Sequence, residues 1–167
     1  MGHREHKEKA PTHVRCAVIT VSDSRSRETD DSGKLIVELL TRASHVVAHY
    51  AIVKDDEEAI RGQVDALARE SNAQVLILNG GTGISKRDRT PDVLEPLVER
   101  RIPGFGELFR SLSYEEIGSA AFLSRASAGV IGNMVVFLVP GSPEAARLAM
   151  EKLILPEIGH IVFEVSR

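Results

Sequence analysis

Three short, almost unbroken apolar runs do most to limit what this chain can become: residues 14–21 (VRCAVITV), 74–78 (QVLIL) and 134–139 (MVVFLV). In a strand, successive side chains point to opposite faces, so a run without polar alternation must be covered on both sides. A further strand is expected at 46–53. Between these strands apolar residues recur at helical spacing: Leu35, Ile36, Leu39, Leu40 and Ala43, then Ile60, Val64, Leu67 and Ala68, and later Ala145, Leu148, Ala149 and Leu153. The alternation predicts an α/β fold, a three-layer α/β/α sandwich with a mostly parallel central sheet. Residues 122–130 and 134–139 add a short antiparallel strand pair, joined at Gly132-Asn133. A short helix is expected around Val93–Val98, residues 102–106 read as a break before a helix at 108–117, and 155–165 as a short helix or an extended segment.

With 167 residues, positions 14–167 form a single domain behind a flexible polar arm at 1–13. That arm carries His3, His6 and His13 and lacks a signal-peptide core; metal binding by these histidines is the lesser alternative. The net charge of −3, with 4% aromatic residues and no Trp, argues against a nucleic-acid surface. No stretch approaches the roughly 20 apolar residues of a membrane span, so no membrane partner is expected and the cytoplasm is the expected compartment. The lone Cys16 reads as a buried core residue and excludes an intrachain disulfide.

The segment from Asn79 to Pro91 (NGGTGISKRDRTP) follows the second apolar run and combines bare backbone, hydroxyls, three cations and a carboxylate. Thr90 reads as the N-cap of the next helix, with Pro91 at its first position. Such a loop offers amide N–H groups to an anion, while Asp88 offers oxygen to a hard cation. A glycine turn beside a solvated charge cluster is the plain alternative. The spacing matches neither a Walker P-loop nor a dinucleotide-binding turn. In α/β sheets ligands bind beyond the carboxyl ends of the strands. Residues 22–32, 54–56, 79–90 and 140–142 all start there, which makes Asp31, Asp55 and Asp88 candidates for one pocket.

Seven segments together resemble the MoaB/Mog family of molybdenum-cofactor biosynthesis: Thr20-Val21-Ser22-Asp23, Asp31-Ser32-Gly33, Val53-Lys54-Asp55-Asp56, Gly80-Gly81-Thr82-Gly83 with Arg87-Asp88-Arg89-Thr90-Pro91, Pro103-Gly104-Phe105-Gly106, Leu123-Ser124-Arg125-Ala126 and Pro140-Gly141-Ser142-Pro143. The resemblance spans about residues 14–158, and the segment 109–118 is more similar to the MoaB branch. Lys54 stands where the family usually has Pro, which leaves Asp55 and Asp56 both open; Asp55 is taken on motif position.

The resemblance implies molybdopterin adenylyltransferase activity, with ATP and molybdopterin as substrates and Mg²⁺ on Asp88 and Asp55 as the catalytic pair. It assigns substrate or nucleotide contacts to Ser22, Asp31, Ser32, Gly33, Gly80, Gly81, Thr82, Gly83, Arg87, Thr90, Pro91, Pro140, Gly141 and Ser142. Arg87 either screens phosphate charge or is a solvated side chain. Ser113 and Arg125 either contact the pterin's polar edge or serve structurally, while Phe105 and Tyr114 read as core or interface residues. A homotrimer or homohexamer is implied, with a downstream metal-insertion protein as a further partner. The alternatives are a non-catalytic molybdopterin carrier indifferent to Asp88, a scaffold, and a nucleotide hydrolase. The last lacks a His in any of the four loops to act as base. Whether molybdenum or tungsten is the final metal is left open.

Overall fold

Cys16 and Val18 of β1 (Arg15–Val21) pack into one apolar layer, and Ala17, Ile19 and Val21 into the other. Both layers are apolar because both faces of the sheet carry helices, which is why the run shows no polar alternation. The structure, a computed structural model, describes residues 9–167. The same two-sided pattern recurs in β3 (Val75–Asn79) and β6 (Met134–Val139). With β2 (Val46–Val53), β4 (Arg100–Arg101) and β5 (Ser127–Ile131) these strands form a six-stranded sheet in the order β2-β1-β3-β6-β5-β4. The β2/β1, β1/β3 and β3/β6 pairs are parallel, and β6/β5 and β5/β4 are antiparallel. The expected sandwich and its antiparallel addition are thus present.

Helices α1 (Asp31–Arg42), α4 (Pro103–Ile117), α5 (Pro143–Ala149) and α6 (Leu155–Val165) pack on one face, where Ile36, Leu40, Phe109, Ala146 and Ile158 are buried. Helix α2 (Glu57–Glu70) and the short α3 (Thr90–Leu94) cover the other with Ile60, Val64, Val93 and Leu94. Local chemistry sets the helix starts. The Asp30 carboxylate accepts from Gly33 N–H at 3.1 Å, Asp56 from Ala59 N–H at 3.0 Å and Ser142 Oγ from Ala145 N–H at 3.2 Å.

Several expectations need correction. Residues 102–106 are not a break: Pro103 opens α4, where its missing N–H costs nothing, and both glycines lie inside the first turn. The strand expected from residue 122 starts at Ser127, because a 3₁₀ segment, Gly118–Leu123, follows α4. Residues 155–165 take the helical one of their two expected forms; the addition is that they continue from α5 through a π-helical stretch, Met150–Ile154, just before Pro156, which has no N–H for an ordinary helical bond. The helix at 93–98 stops at Leu94. The two-residue β4 was not foreseen. The expectations for His3 and His6 lie outside the described residues. His13 Nδ1 donates to the Ser44 carbonyl at 2.7 Å, and Pro11 lies against Gly159 of α6.

Candidate functional site

Hydrogen bonds tie the four strand-end loops to one another. Ser22 N–H donates to the Val53 carbonyl at 2.9 Å, Asp55 N–H to Asp23 Oδ1 at 3.1 Å, Arg89 N–H to Asp55 Oδ1 at 3.3 Å and Gly80 N–H to the Val139 carbonyl at 3.0 Å. A Cβ on Gly141 would lie 3.3 Å from Gly80 Cα, so the Pro140–Ser142 turn presses directly on the glycine turn. β1 leads to its helix and β2 on one side and β3 on the other, which makes the β1/β3 gap the switch point of the sheet.

The glycine turn is built from left-handed backbone. Gly80 has φ +106° and Gly81 φ +67°, values L-residues adopt at a cost. Space is short as well: a Cβ on Gly80 would strike the Val21 carbonyl, and one on Gly81 would strike Thr90 Oγ1 and lie 3.1 Å from Asp55 Oδ2. Thr90 is fully buried, and its hydroxyl donates to the Gly80 carbonyl at 3.0 Å. It is therefore the first residue of α3 and not its N-cap; Arg89 holds the cap position without a side-chain bond, and Pro91 is one place further in. Thr82 is buried in the turn.

Beyond the turn, Asp88 Oδ2 accepts from Ser85 N–H at 2.8 Å and curls the loop tip. Ile84, Ser85, Lys86, Asp88, Arg89, Asp92 and Arg125 line an open hollow of about 430 Å³ there. Arg125 holds the loop from outside. Its Nε donates to the Gly83 carbonyl at 2.9 Å, Nη2 to the Asp88 carbonyl at 2.8 Å, and Nη1 to the Asp92 carboxylate at 3.0 and 3.1 Å. All three guanidinium nitrogens are thereby engaged by protein oxygens. Arg87 pairs with Asp23 and is largely exposed.

Of the two adjacent carboxylates, Asp56 is spent on capping α2 while Asp55 faces the glycine turn. Burial pushes the Asp55 carboxyl above its ordinary range, and the Asp88 and Asp23 charges push the same way. The Arg89 N–H and, more weakly, Arg87 oppose them. Asp31 is exposed, and the buried carboxylate of that loop is Asp30, one residue earlier. Ser32 and Gly33 are buried at the start of α1, and Ser22 Oγ accepts from Arg25 N–H at 3.1 Å. Ser142 serves as the α5 cap. Ser113 is buried within α4, outside the four loops.

Sequence reasoning missed a buried polar cluster under the loops. Thr20 Oγ donates to Asp30 Oδ2 at 2.7 Å, Tyr50 OH to the same oxygen at 2.5 Å, Asn79 Nδ2 to Thr20 Oγ at 2.7 Å, and Ser32 Oγ to Asn79 Oδ1 at 2.8 Å. The signal was available: Thr20 and Asn79 are the polar interruptions near the carboxyl ends of two apolar strands. Burial raises the Tyr50 hydroxyl pKa, and its bond to Asp30 and that carboxylate's charge add to the rise.

Among the described residues no group of three or more His, Cys, Asp or Glu is arranged to hold a metal. Mg²⁺ characteristically takes one or two carboxylates and completes its shell with water and substrate phosphate. Asp55 and Asp88 beside the glycine turn fit that mode: burial, and after it the Asp88 and Asp23 charges, push the Asp55 carboxyl up, and a bound cation would relieve that strain on its ionised form. Among the described residues no helix is long and apolar enough to cross a membrane.

Residues 17–160 match the family model described as "Probable molybdopterin binding domain". The chain is 55% identical over 168 residues to molybdenum cofactor biosynthesis protein B of Bacillus cereus, covering 100% of this chain and 99% of that protein. It is 52% identical, with the same coverage, to the protein of that name from Bacillus subtilis. A crystal structure of a molybdenum cofactor biosynthesis protein B superposes with a TM-score of 0.91 at 55% identity, over 95% of this chain and 99% of that one. The tungsten cofactor synthesizing protein MoaB of Pyrococcus furiosus gives 0.83 at 38% identity, over 95% and 100%. On sequence and on fold alike, the chain belongs to the MoaB/Mog family of molybdenum-cofactor biosynthesis proteins.

Proposed function

We propose that the chain acts in molybdenum or tungsten cofactor biosynthesis by transferring AMP from Mg-ATP to the terminal phosphate of molybdopterin. A phosphate oxygen of the pterin forms a bond to the α-phosphorus of ATP, the bond to the bridging oxygen breaks, and pyrophosphate leaves. The observation that carries this reading is the convergence of the Gly80-Gly81 turn with Asp55 and Asp88 at the switch point of the sheet.

The nucleophile is already anionic near neutral pH, so no strong general base is needed. The task is to align two mutually repelling anions and offset the developing charge. The bare glycine backbone lets amide groups approach phosphate oxygens closely. Asp55 and Asp88 would hold Mg²⁺, which supplies charge neutralisation and orientation at the phosphates when bound. Arg125 keeps the loop that carries Asp88 in place. A cavity of about 340 Å³, largely apolar and sharing Arg125 as a wall, opens alongside and offers room for a ring system.

In this reading the chain works as a homotrimer or homohexamer. The exposed apolar side chains of Leu108, Tyr114, Ile117, Phe122 and Leu123 on α4 and the 3₁₀ segment support a self-association face. The product then passes to a metal-insertion protein. The test is pyrophosphate release from Mg-ATP with and without molybdopterin: release that requires the pterin supports the transferase. Pterin binding without any release points to the carrier.

A further inference from the structure

Arg25 stands apart from the other cations near the loops. Lys86 and Arg89 sit on the exposed glycine loop, and Arg87 is spent on Asp23. Arg25, by contrast, is only 30% exposed in its side chain and is seated from below. Its Nη1 donates to Ser32 Oγ at 2.5 Å and lies 3.7 Å from Asp30 Oδ1, a carboxylate with no exposure. Among the described residues its Nε and Nη2 make no protein hydrogen bond.

The bonds beneath it run in one consistent direction. Arg25 donates to Ser32, and Ser32 to Asn79 Oδ1. Asn79 Nδ2 donates to Thr20, and Thr20 to Asp30. Ser32 and Asn79 each accept from one neighbour and donate to the next, so the relay orients the Asn79 amide, and Asn79 is the residue directly before the glycine turn. A buried carboxylate needs a partner, and Arg25 is the cation closest to this one. Arg25 also belongs to the loop after β1, while the glycine turn follows β3; the two flank the switch point.

We propose that Arg25 is an anion-binding residue of this site, aimed across the β1/β3 gap at a phosphate or pyrophosphate group held by the glycine turn, with Asp30 as its positioning residue. The inference rests on the phosphate reading given above and deepens it. A planar guanidinium whose Nη1 is held by Ser32 and lies beside Asp30 presents its remaining donors, Nε and Nη2, in a set direction, which suits bidentate phosphate oxygens. The relay further means that an anion on Arg25 and an anion on the glycine amides are held by one connected piece of structure.

The test uses the full chain and inorganic pyrophosphate, titrated by calorimetry in Mg²⁺ buffer. Arg25→Gln is expected to weaken binding roughly ten- to hundredfold, the range for a hydrogen bond to a charged group. Arg25→Lys should recover part of that loss, which a purely structural role would not produce. Asp30→Asn should weaken binding less than Arg25→Gln does, with circular dichroism checking its fold. Arg42→Gln, at the other end of α1, should match the wild type. Equal affinity in Arg25→Gln and wild type overturns the proposal, as does wild type that binds no pyrophosphate. Loss of affinity in Arg25→Gln from a chain that forms no adenylylated pterin would sustain the anion site while removing the transferase reading.

Discussion

The Thr90 hydroxyl donates to the Gly80 carbonyl at 3.0 Å, so the first residue of α3 closes the glycine turn that precedes it by ten positions. Both groups are buried. Thr90→Val keeps the shape and removes the donor. The expected cost is about 1–3 kcal/mol in urea unfolding, the penalty for a buried acceptor left unpaired. Thr90→Ser should stay close to wild type. A Val variant as stable as wild type would show that the bond is not holding the turn.

Gly81 is the most constrained point of the loop. Gly81→Ala places an L-residue at φ +67°, at a backbone cost of about 1–2 kcal/mol, and drives its methyl into Thr90 and Asp55. A lower Tm together with a large loss of turnover is expected. Full activity in this variant would mean that the turn does not approach the reacting phosphates.

Asp55 should trade stability against function. Its folded-state pKa lies above the ordinary value of 3.8, first through burial and then through Asp88 and Asp23. The folded protein therefore binds this proton more readily than the unfolded chain. The ionised form costs stability at neutral pH, and that cost fades as pH falls through the raised pKa. Asp55→Asn is expected to raise Tm at pH 7 while abolishing transfer, and its advantage should shrink on acidification. Melting curves across pH decide this; a variant less stable than wild type at pH 7 would contradict the electrostatic account.

The layers of the fold were legible because they follow from periodicity. Two-sided apolar runs such as residues 134–139 leave few alternatives. What escaped depended on geometry that periodicity does not carry. Asp30 and Asp31 are both good caps by type, and only the observed backbone shows that the first is buried and the second exposed. Thr90 resembles a cap because a hydroxyl before Pro usually is one, yet that hydroxyl donates to a carbonyl ten residues earlier. Two glycines in residues 102–106 suggested a break, but helix burial around Phe105 and Phe109, packed at 6.3 Å, overrides their poor propensity.

From sequence alone Arg125 is either a pterin contact or a structural residue; its three bonded nitrogens support a loop-holding role. Arg125→Lys cannot reproduce a fork that reaches Gly83, Asp88 and Asp92 at once. Faster amide exchange across residues 83–88 is expected, with kcat/KM lowered about tenfold or more and little change in Tm. Unchanged exchange in that segment would remove the loop-holding role.

Asp88, on a loop shaped by the Gly80-Gly81 turn, is expected to serve the proposed AMP transfer to molybdopterin. The most direct measurement is mass detection of adenylylated molybdopterin from purified chain, molybdopterin and ATP, with and without Mg²⁺, beside Asp88→Ala. Product should require Mg²⁺ and fall by roughly a hundredfold or more in the variant, as expected when a charge-stabilising group is lost, with pterin affinity retained. Equal product from Asp88→Ala, or pterin binding without product under every condition, would contradict it.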